Sequence, residues 1–358
     1  MNTPCLIYGS YGYTGRLVVR YAIERGLRPV LAGRNEAALR DQARESGLEY
    51  RAFALDDPDA VARGLDGMSV VAHCAGPFSR TARAMAKGCL RAGTHYLDIT
   101  GEIEVFEALA AMDTRAREAG VMLLPGAGFD VVPSDCLALH LKRQVPAATR
   151  LVLAFHSNGR PSHGTATTIV ENLHKGLWVR EAGALTRKPL GWKQRTIDFG
   201  EGPPRGAITI PWGDVSTAYH STGIPNIEVY MAAPRRARIM IRAARHFGWL
   251  LGSRPVNRYL KRRIDDAAPG PTDADRARSY CLLWGEATND SGGRAEARLR
   301  TPDGYTLTAL TTLAIAEKVL AGDAPPGFQT PAKAYGPDFI LAIDGVTASW
   351  NSPQSPSS

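Results

Sequence analysis

Three glycines at regular spacing stand out near the start of the chain, within the segment Gly9–Gly15. The segment follows a short apolar run, Cys5–Tyr8, and precedes a helical pattern. Glycines in this position allow a tight turn and let the backbone approach a pyrophosphate, and the next helix N-terminus adds N–H groups that attract phosphate. A glycine-rich turn without a ligand is the alternative, but the strand–turn–helix context favours a dinucleotide. The residues expected at the cofactor are Gly9, Ser10, Tyr11, Gly12, Tyr13, Thr14 and Gly15.

The residue after the second predicted strand indicates which dinucleotide is bound. That strand ends at Gly33 and is followed by Arg34, where an NAD-dependent enzyme usually has an acidic residue for the ribose hydroxyls. A guanidinium can pair with a 2′-phosphate through two charge-assisted hydrogen bonds. We therefore expect NADP(H) as the cofactor. A solvated arginine near a helix start is the alternative interpretation of Arg34.

The turns after the third and fourth predicted strands supply the remaining cofactor contacts. Asp56 follows the third strand and can contact the adenine, although a helix-capping role suits it equally well. The turn after the fourth strand is expected to pass the nicotinamide ribose, because ligands bind at the carboxyl edge of such sheets. The residues of that turn are Ala75, Gly76, Pro77 and Phe78.

Few side chains qualify as proton donors for a hydride transfer. No tyrosine is followed four residues later by a lysine, and no HExxH or Cys/His cluster predicts a metal site. The cofactor supplies the hydride, so the protein must orient the substrate and provide a proton. The candidate catalytic residues are Asp130, after the sixth strand, and the pair Tyr219 and His220. The alternatives are a buried capping carboxylate, a core tyrosine and a surface histidine.

A second candidate site precedes a helical pattern over Gly164–Lys175. The N–H groups at such a helix start can hold a carboxylate, a phosphate or a thioester oxygen. A plain Ser/Thr helix cap is the alternative. The residues expected to contact the substrate are His163, Gly164 and Thr165.

The elements that must position these residues follow from the apolar pattern. Short strands alternating with helices predict a parallel sheet covered on both faces. We therefore predict an α/β protein with an N-terminal Rossmann-type, doubly wound sheet over residues 1–125. Mixed patterns then predict an α+β domain for substrate binding or dimerisation over residues 126–330, with a homodimer as one possibility, and a disordered Ser/Pro-rich tail over residues 351–358. The six predicted strands are Cys5–Tyr8, Pro29–Ala32, Tyr50–Ala54, Ser69–His73, His95–Ile99 and Val121–Pro125.

Composition excludes several classes of protein. The net charge is +8 and the pI is near 9.3, but the basic residues are spread along the chain and no zinc finger or RNP motif occurs, so we expect no nucleic-acid partner. The five cysteines include no CxxC pair, which argues against a disulfide framework and a zinc site. No apolar stretch approaches the about 18 residues of a membrane span, and no signal-peptide pattern occurs, so we expect a cytoplasmic protein.

One basic segment, Arg235–Arg263, suggests a partner. In a helical projection its first part places Ile239 and Met240 on an apolar side and Arg235, Arg238, Arg242 and Arg245 on the other. A domain helix with a solvated basic face explains this pattern. A docking site for an acidic carrier protein and a helix lying on a membrane surface are the two alternatives.

Several motifs, taken in order, resemble the saccharopine dehydrogenase-like NADP-binding reductases, and most closely their trans-acting enoyl reductase branch. The resemblance covers nearly the whole chain. The segments that carry it are Gly9–Gly15, Ala32–Asn35, Cys74–Phe78, Tyr96–Glu102, Gly128–Asp135, Pro211–Asp214 and Ser221–Asn226.

The resemblance implies an NADPH-dependent oxidoreductase that delivers hydride to an activated double bond of a small molecule or an acyl thioester. It also implies that residues 331–350 return to the first domain. Two alternatives stay open: an imine reductase of the saccharopine or opine type, which would need several arginines around its carboxylate substrates, and a non-catalytic NADP-sensing regulator.

Overall fold

The computed structural model describes residues 4–162, 164, 176–244 and 270–350 of the 358 residues. The chain divides into two compact units. The first consists of Met1–Val132 with Tyr305–Ala334, and the second of Pro133–Gly304 with Tyr335–Ser358.

The first unit is built on a seven-stranded sheet in which every pairing is parallel. Its strand order is β15-β6-β5-β4-β1-β2-β3, so the chain starts in the middle and the direction of winding reverses beside β1. Such a reversal places loops from both halves at the carboxyl edge, which is where ligands bind. The strands are β1 (Cys5–Tyr8), β2 (Val30–Gly33), β3 (Tyr50–Ala52), β4 (Val70–His73), β5 (His95–Asp98), β6 (Met122–Leu124) and β15 (Gly327–Phe328).

Helices cover both faces of this sheet. The helices are α1 (Tyr13–Glu24), α2 (Glu36–Ser46), α3 (Pro58–Gly64), α4 (Phe78–Ala92), α5 (Ile103–Ala110), α6 (Asp113–Glu118) and α11 (Gly304–Leu320). One apolar cluster joins α1, α2 and α11 to one face, and a second cluster joins α3 to α6 to the other. Local signals start two of them: the Asn35 side chain caps α2, and the Asp57 side chain caps α3 with Pro58 in its first turn.

The predicted fold class is confirmed, with local corrections. The apolar pattern over Val105–Ala119 predicts one helix, whereas the structure has two, α5 and α6, and the sequence analysis did not single out α4. The segment that returns to the first sheet is Tyr305–Ala334 rather than residues 331–350. It returns there because α11 packs its apolar residues on the sheet and β15 pairs with β6.

The second unit contains a nine-stranded mixed sheet among its described residues. Its central pair, β7 and β12, is parallel, and the other pairings are antiparallel. The strands are β7 (Arg150–Ser157), β8 (Leu177–Glu181), β9 (Ala184–Lys188), β10 (Gln194–Ile197), β11 (Arg205–Thr209), β12 (Asn226–Ala232), β13 (Tyr280–Thr288), β14 (Arg294–Pro302) and β16 (Thr347–Ala348). The predicted α+β character is therefore confirmed.

Short helices accompany this sheet. They are α7 (Val132–Gln144), α8 (Asp214–Thr222), α9 (Arg235–Ala244), α10 (Asp273–Arg278), α12 (Pro331–Tyr335) and a 3₁₀ helix (Pro337–Ala342). Gly285 of β13 lies directly against α7, since a Cβ on this glycine would approach Leu141 Cδ1 within 2.6 Å. None of the described helices is both long and apolar enough to cross a membrane.

The predicted orientation of α9 is wrong. Ile239 and Met240 are 57% and 70% exposed, whereas Arg238 points inward. The Arg238 guanidinium lies against Gly206 of β11, where a Cβ would approach it within 2.3 Å, and it donates to Gln194 Oε1. We attribute this orientation of α9 to Gly206, because a residue without a side chain leaves room for the Arg238 guanidinium to lie against β11.

Candidate functional site

The carboxyl edge of the first sheet collects most of the predicted cofactor residues. The loop after β1 is fixed to the end of β2, since the Gly9 and Ser10 N–H groups both donate to the Ala32 carbonyl, at 2.7 and 3.3 Å. The first intrahelical bond of α1 is donated by Arg16 to Gly12. The N-terminal N–H groups of α1 are therefore directed to the sheet edge. Their N-cap residue is Gly12, which has no side chain that could cap them.

The three glycines of this loop are required by different structural constraints. Gly9 has a φ of +79°, and a Cβ on Gly15 would lie 2.1 Å from the Gly9 carbonyl oxygen, so the protein itself requires both. Gly12 has a φ of −71° and is exposed, and a Cβ there would meet only the Gly9 carbonyl oxygen, at 3.2 Å. Gly12 is therefore less restricted by the protein than Gly9 or Gly15, although its Cβ contact would be tight, and a glycine is expected where a pyrophosphate approaches the backbone.

The other residues of the loop face in different directions. Ser10 is fully buried, so its side chain points into the protein rather than to the sheet edge. The Tyr11 ring lies over Gly33, and its hydroxyl accepts a bond from the Asn35 N–H at 3.3 Å. The Tyr13 ring packs edge-on against Tyr305 at 5.1 Å. Tyr11 therefore covers the end of β2 on the path from the glycine loop to Arg34, while Thr14 is half-buried in the first turn of α1.

Arg34 is exposed at the end of β2, directly before the residue that caps α2. It forms no hydrogen bond or ion pair with any residue in the described ranges. Asp56 is also exposed, and its neighbour Asp57 provides the cap of α3. An arginine that is not neutralised by the protein fits the 2′-phosphate of NADP.

Replacing Arg34 by aspartate is expected to remove the preference for NADPH over NADH. The preference depends on one charge-assisted pair, so we expect a loss on the order of tenfold or more in NADPH affinity and little change for NADH. Fluorescence titration with both cofactors measures the ratio. The control is Arg44→Gln, which removes one exposed charge from α2. Equal losses for both cofactors, or a retained preference, would contradict the role of Arg34.

The turn after β4 is held by three polar side chains that the sequence analysis did not single out, His73, Thr81 and Glu102. His73 is fully buried among aromatic rings, and its Nε2 contacts Thr81 Oγ1 at 3.0 Å. Thr81 donates in turn to the Ala75 carbonyl. Burial lowers the pKa of His73 to about 3, so this histidine stays neutral. Glu102 closes the N-terminus of α4 by accepting bonds from the first two N–H groups, at 2.8 and 3.1 Å. The predicted contact residues Ala75 to Phe78 thus lie in a rigid turn.

A buried carboxylate at the end of β5 organises the next loop. Asp98 accepts hydrogen bonds from the Tyr96 hydroxyl and from the N–H groups of Thr100 and Gly126. Burial raises the pKa of Asp98 to about 6, while these hydrogen bonds lower it. This network explains the polar residues of the motif Tyr96–Glu102: they connect the loops after β5 and β6.

The loop after β6 presents the candidate Asp130. The loop is held on its other side by α11, where Thr311 Oγ1 donates to the Ala127 carbonyl at 2.7 Å and Thr308 Oγ1 accepts from the Phe129 N–H at 2.9 Å. A Cβ on Gly101 would lie 2.5 Å from Asp130 Oδ2, so the carboxylate lies directly over this glycine.

The Asp130 carboxylate itself makes no hydrogen bond or ion pair within the described parts of the chain. It is therefore not a helix cap. Burial raises the pKa of Asp130 to about 7. A carboxyl group with such a pKa exchanges a proton readily near neutral pH.

The residue after Asp130 is conformationally strained. Val131 has a φ of +137°, which a β-branched side chain rarely adopts, and it is fully buried. Residues in such conformations cost on the order of 1–3 kcal/mol and cluster at functional sites. The strain at Val131 thus marks the loop that carries Asp130.

The other candidate catalytic residues, Tyr219 and His220, lie in α8 of the second unit. The buried Arg180 guanidinium stacks on the Tyr219 ring, 4.1 Å from its centroid, and donates to the carbonyls of Val215 and Gly183. This arrangement joins α8 to the hairpin of β8 and β9 and gives Tyr219 a packing role. The catalytic assignment of Tyr219 and His220 stays a prediction.

Several predicted residues lie outside the described ranges. They include two of the three predicted substrate residues, whereas Gly164 is described and exposed. The helical pattern beyond Gly164, the basic segment beyond Ala244 and the tail also lie outside, so the proposed partners of that segment stay predictions. The predicted residues and ranges concerned are His163, Thr165, 165–175, 245–263 and 351–358.

Comparison with known proteins assigns the first unit. Residues 5–124 match the family described as the saccharopine dehydrogenase NADP binding domain. A trans-acting enoyl reductase of Mycobacterium bovis is 27% identical, with 95% of each chain covered. A probable mitochondrial saccharopine dehydrogenase-like oxidoreductase of Arabidopsis thaliana is 31% identical over 147 residues, which is 36% of this chain and 32% of the plant protein. A trans-acting enoyl reductase of Mycobacterium ulcerans is 27% identical, covering 51% of this chain and 48% of the relative. The matched part of this chain thus spans less than half the length of the Arabidopsis thaliana and Mycobacterium ulcerans proteins.

A solved structure supports the same fold. The saccharopine dehydrogenase (L-Glu forming) of Saccharomyces cerevisiae superimposes with a TM-score of 0.64 at 14% identity, covering 95% of this chain and 96% of the yeast chain. The glycine loop, the uncapped α1 N-terminus and the unneutralised Arg34 fit the cofactor of this family. Residues 5–124 therefore match an NADP-binding domain of the saccharopine dehydrogenase type, and the features of the sheet edge fit that cofactor.

Proposed function

We propose that this protein is an NADPH-dependent oxidoreductase that reduces a carbon–carbon double bond conjugated to an acyl thioester, and that Asp130 donates the proton. The single observation that carries the proton-donor role is the Asp130 carboxyl group, which is presented by a rigid loop, has no hydrogen-bond partner in the described residues and has a pKa near 7. The similarity to the enoyl reductase of Mycobacterium bovis over 95% of both chains supports the choice of substrate class.

The proposed chemistry needs one hydride and one proton. NADPH, when bound, supplies the hydride to the β-carbon of the unsaturated thioester. The electron pair of the double bond moves toward the thioester carbonyl, and the α-carbon then takes the proton from the neutral Asp130 carboxyl. Water reprotonates Asp130, and the products are the saturated thioester and NADP⁺. A proton donor matched to the working pH contributes about 10²–10⁴-fold to such a reaction.

The rigidity of the Asp130 loop supports this role. Asp98 accepts a hydrogen bond from Gly126 at the start of the loop, and two threonines of α11 bind the loop backbone further along. The Asp130 carboxyl group is therefore already positioned before a substrate binds. A carboxylate that only stabilised the fold would be expected to accept N–H bonds, as Asp98 does. Asp130 accepts none from the described residues, which favours a ligand or a reacting atom as its partner.

Three substrates and an isotope label test the proposed reaction. NADPH consumption is measured with an α,β-unsaturated acyl thioester, with its saturated analogue, and with a mixture of an α-keto acid and an amino acid. We expect turnover with the first only. When NADPH carries deuterium as the transferred hydrogen, mass spectrometry should find the label on the β-carbon of the product.

The other outcomes decide against the proposal. Turnover only with the keto acid and amine would identify an imine reductase. Tight NADPH binding without turnover of either substrate class would support an NADP-sensing regulator.

A further inference from the structure

The glycine loop is attached to α2 by a pair of hydrogen bonds that uses both ends of one side-chain amide. The Ser10 hydroxyl donates to Gln42 Oε1 at 2.8 Å, and Gln42 Nε2 donates to the Ser10 carbonyl at 3.0 Å. Ser10 is fully buried, and Gln42 is 6% exposed. We infer that Gln42 is a positioning residue for the NADP pyrophosphate, acting through the loop residue Ser10.

The surroundings make a glutamine at this position notable. The side of α2 that faces the sheet is otherwise apolar. The helix has one other buried residue, Leu39, which belongs to the core cluster that also contains Ile7 and Leu31. An amide that is buried without partners is costly, so an apolar side chain would suffice for packing alone. The two bonds to Ser10 account for the amide, and the partner they fix is the second residue of the cofactor loop.

All polar groups of Ser10 are engaged within the protein. Its N–H donates to the Ala32 carbonyl, and its carbonyl and hydroxyl both bind Gln42. Ser10 therefore contributes to the cofactor site through the position of its backbone rather than through its hydroxyl group. The loop is then formed before the cofactor arrives, and Gln42 sets how far it lies from the N-terminus of α1.

The pyrophosphate is common to NADPH and NADH, whereas the 2′-phosphate is not. A residue that positions the loop should therefore affect both cofactors by the same factor, unlike Arg34. Gln42→Leu keeps the approximate volume but removes both bonds. We expect it to raise the Kd of NADPH and of NADH alike by about tenfold, which is about 1.4 kcal/mol.

A second variant gives a readout that packing alone would not move. In Gln42→Glu, the neutral carboxyl can donate to the Ser10 carbonyl and accept from the Ser10 hydroxyl, whereas the carboxylate can only accept. The Kd of NADPH should therefore approach the parent value as the pH falls and worsen as it rises. Gln42→Leu should show no such additional pH dependence relative to the parent.

Two controls keep the test decisive. Ser46→Ala removes the bond from the Ser46 hydroxyl to the Gln42 carbonyl on α2 and should leave cofactor affinity unchanged. Ser10→Ala removes one of the two bonds without altering α2, so a smaller loss for both cofactors is expected even if Gln42→Leu folds poorly. Kd values are taken from fluorescence titration at a temperature where each variant is folded.

Unchanged Kd values with a lowered Tm would show that Gln42 only packs α2 and would overturn the inference. A loss for NADPH alone would overturn it as well, because it would place the action of Gln42 at the 2′-phosphate rather than at the loop.

Discussion

Gly12→Val is expected to abolish binding of NADPH and NADH while the protein stays folded. The valine side chain would occupy the space that the pyrophosphate needs at the start of α1. The backbone of Gly12, with φ −71° and ψ 166°, is accessible to any residue, and a Cβ there meets only one protein atom within 4 Å. Valine is a poor N-cap, so we expect a stability loss of only about 1 kcal/mol. Titration and thermal unfolding measure the two effects.

Gly15→Ala is the matched control for this prediction. A Cβ at Gly15 would lie 2.1 Å from the Gly9 carbonyl oxygen, so the loop itself must shift. This variant should lose both cofactor affinity and thermal stability. If Gly12→Val bound NADPH as the parent does, the pyrophosphate could not lie against Gly12 and the site would have to be placed elsewhere.

Asp130→Asn is expected to lower kcat by about 10²–10⁴-fold with little change in NADPH affinity. The amide keeps the shape of the side chain but cannot act as the acid. Because burial raises the pKa of Asp130 to about 7, the parent enzyme should be active below that pH and lose activity as the pH rises through it, when the proton is gone. The residual activity of the variant should lack this titration. The pH profile of kcat with the unsaturated thioester measures both.

Stability measurements separate catalysis from folding. Burial raises the pKa of Asp130 to about 7, above the value of about 4 in the unfolded chain, so this group lowers the stability of the fold progressively between about pH 4 and pH 7 and by a constant amount above pH 7. The asparagine variant should therefore be at least as stable as the parent near pH 7. Asp98→Asn is the control, because that carboxylate accepts the N–H bonds that hold the Asp130 loop, and its loss should lower the Tm. A parent-like kcat and pH profile in Asp130→Asn would exclude Asp130 as the proton donor.

The strands β1, β2, β4 and β6 could be predicted because each is a short, mostly apolar run whose residues are all buried. β15 could not, since its two residues, Gly327 and Phe328, carry no pattern until they pair with β6. The helix α4 has a buried side formed by Ala82, Met85, Ala86 and Cys89, a helical spacing that the sequence analysis did not single out. The inward turn of Arg238 depends on Gly206, 32 positions away, so the projection of α9 alone gave the wrong face.

The candidate site was predictable only where local sequence determines the chemistry. The glycine spacing and Arg34 are local signals. The proposed proton-donor role of Asp130 depends on its burial and on the lack of a partner among the described residues, neither of which can be seen in the sequence. Gln42 gave no signal either, because its partner Ser10 is 32 residues away and a glutamine in a helix is ordinarily a surface residue.

The carboxylate of Glu102 at the N-terminus of α4 has a consequence for the direction in which the cofactor enters the site. The helices after β1, β2 and β4 all begin at the same edge, and each helix start would attract an anion. Asn35 already occupies the start of α2 and Glu102 that of α4, whereas no side chain in the described part of the chain caps α1. We therefore expect the pyrophosphate of a dinucleotide to be attracted to the start of α1 and repelled from the start of α4, where the Glu102 carboxylate already lies. We expect this difference between the helix starts to favour one orientation of the dinucleotide along the sheet edge.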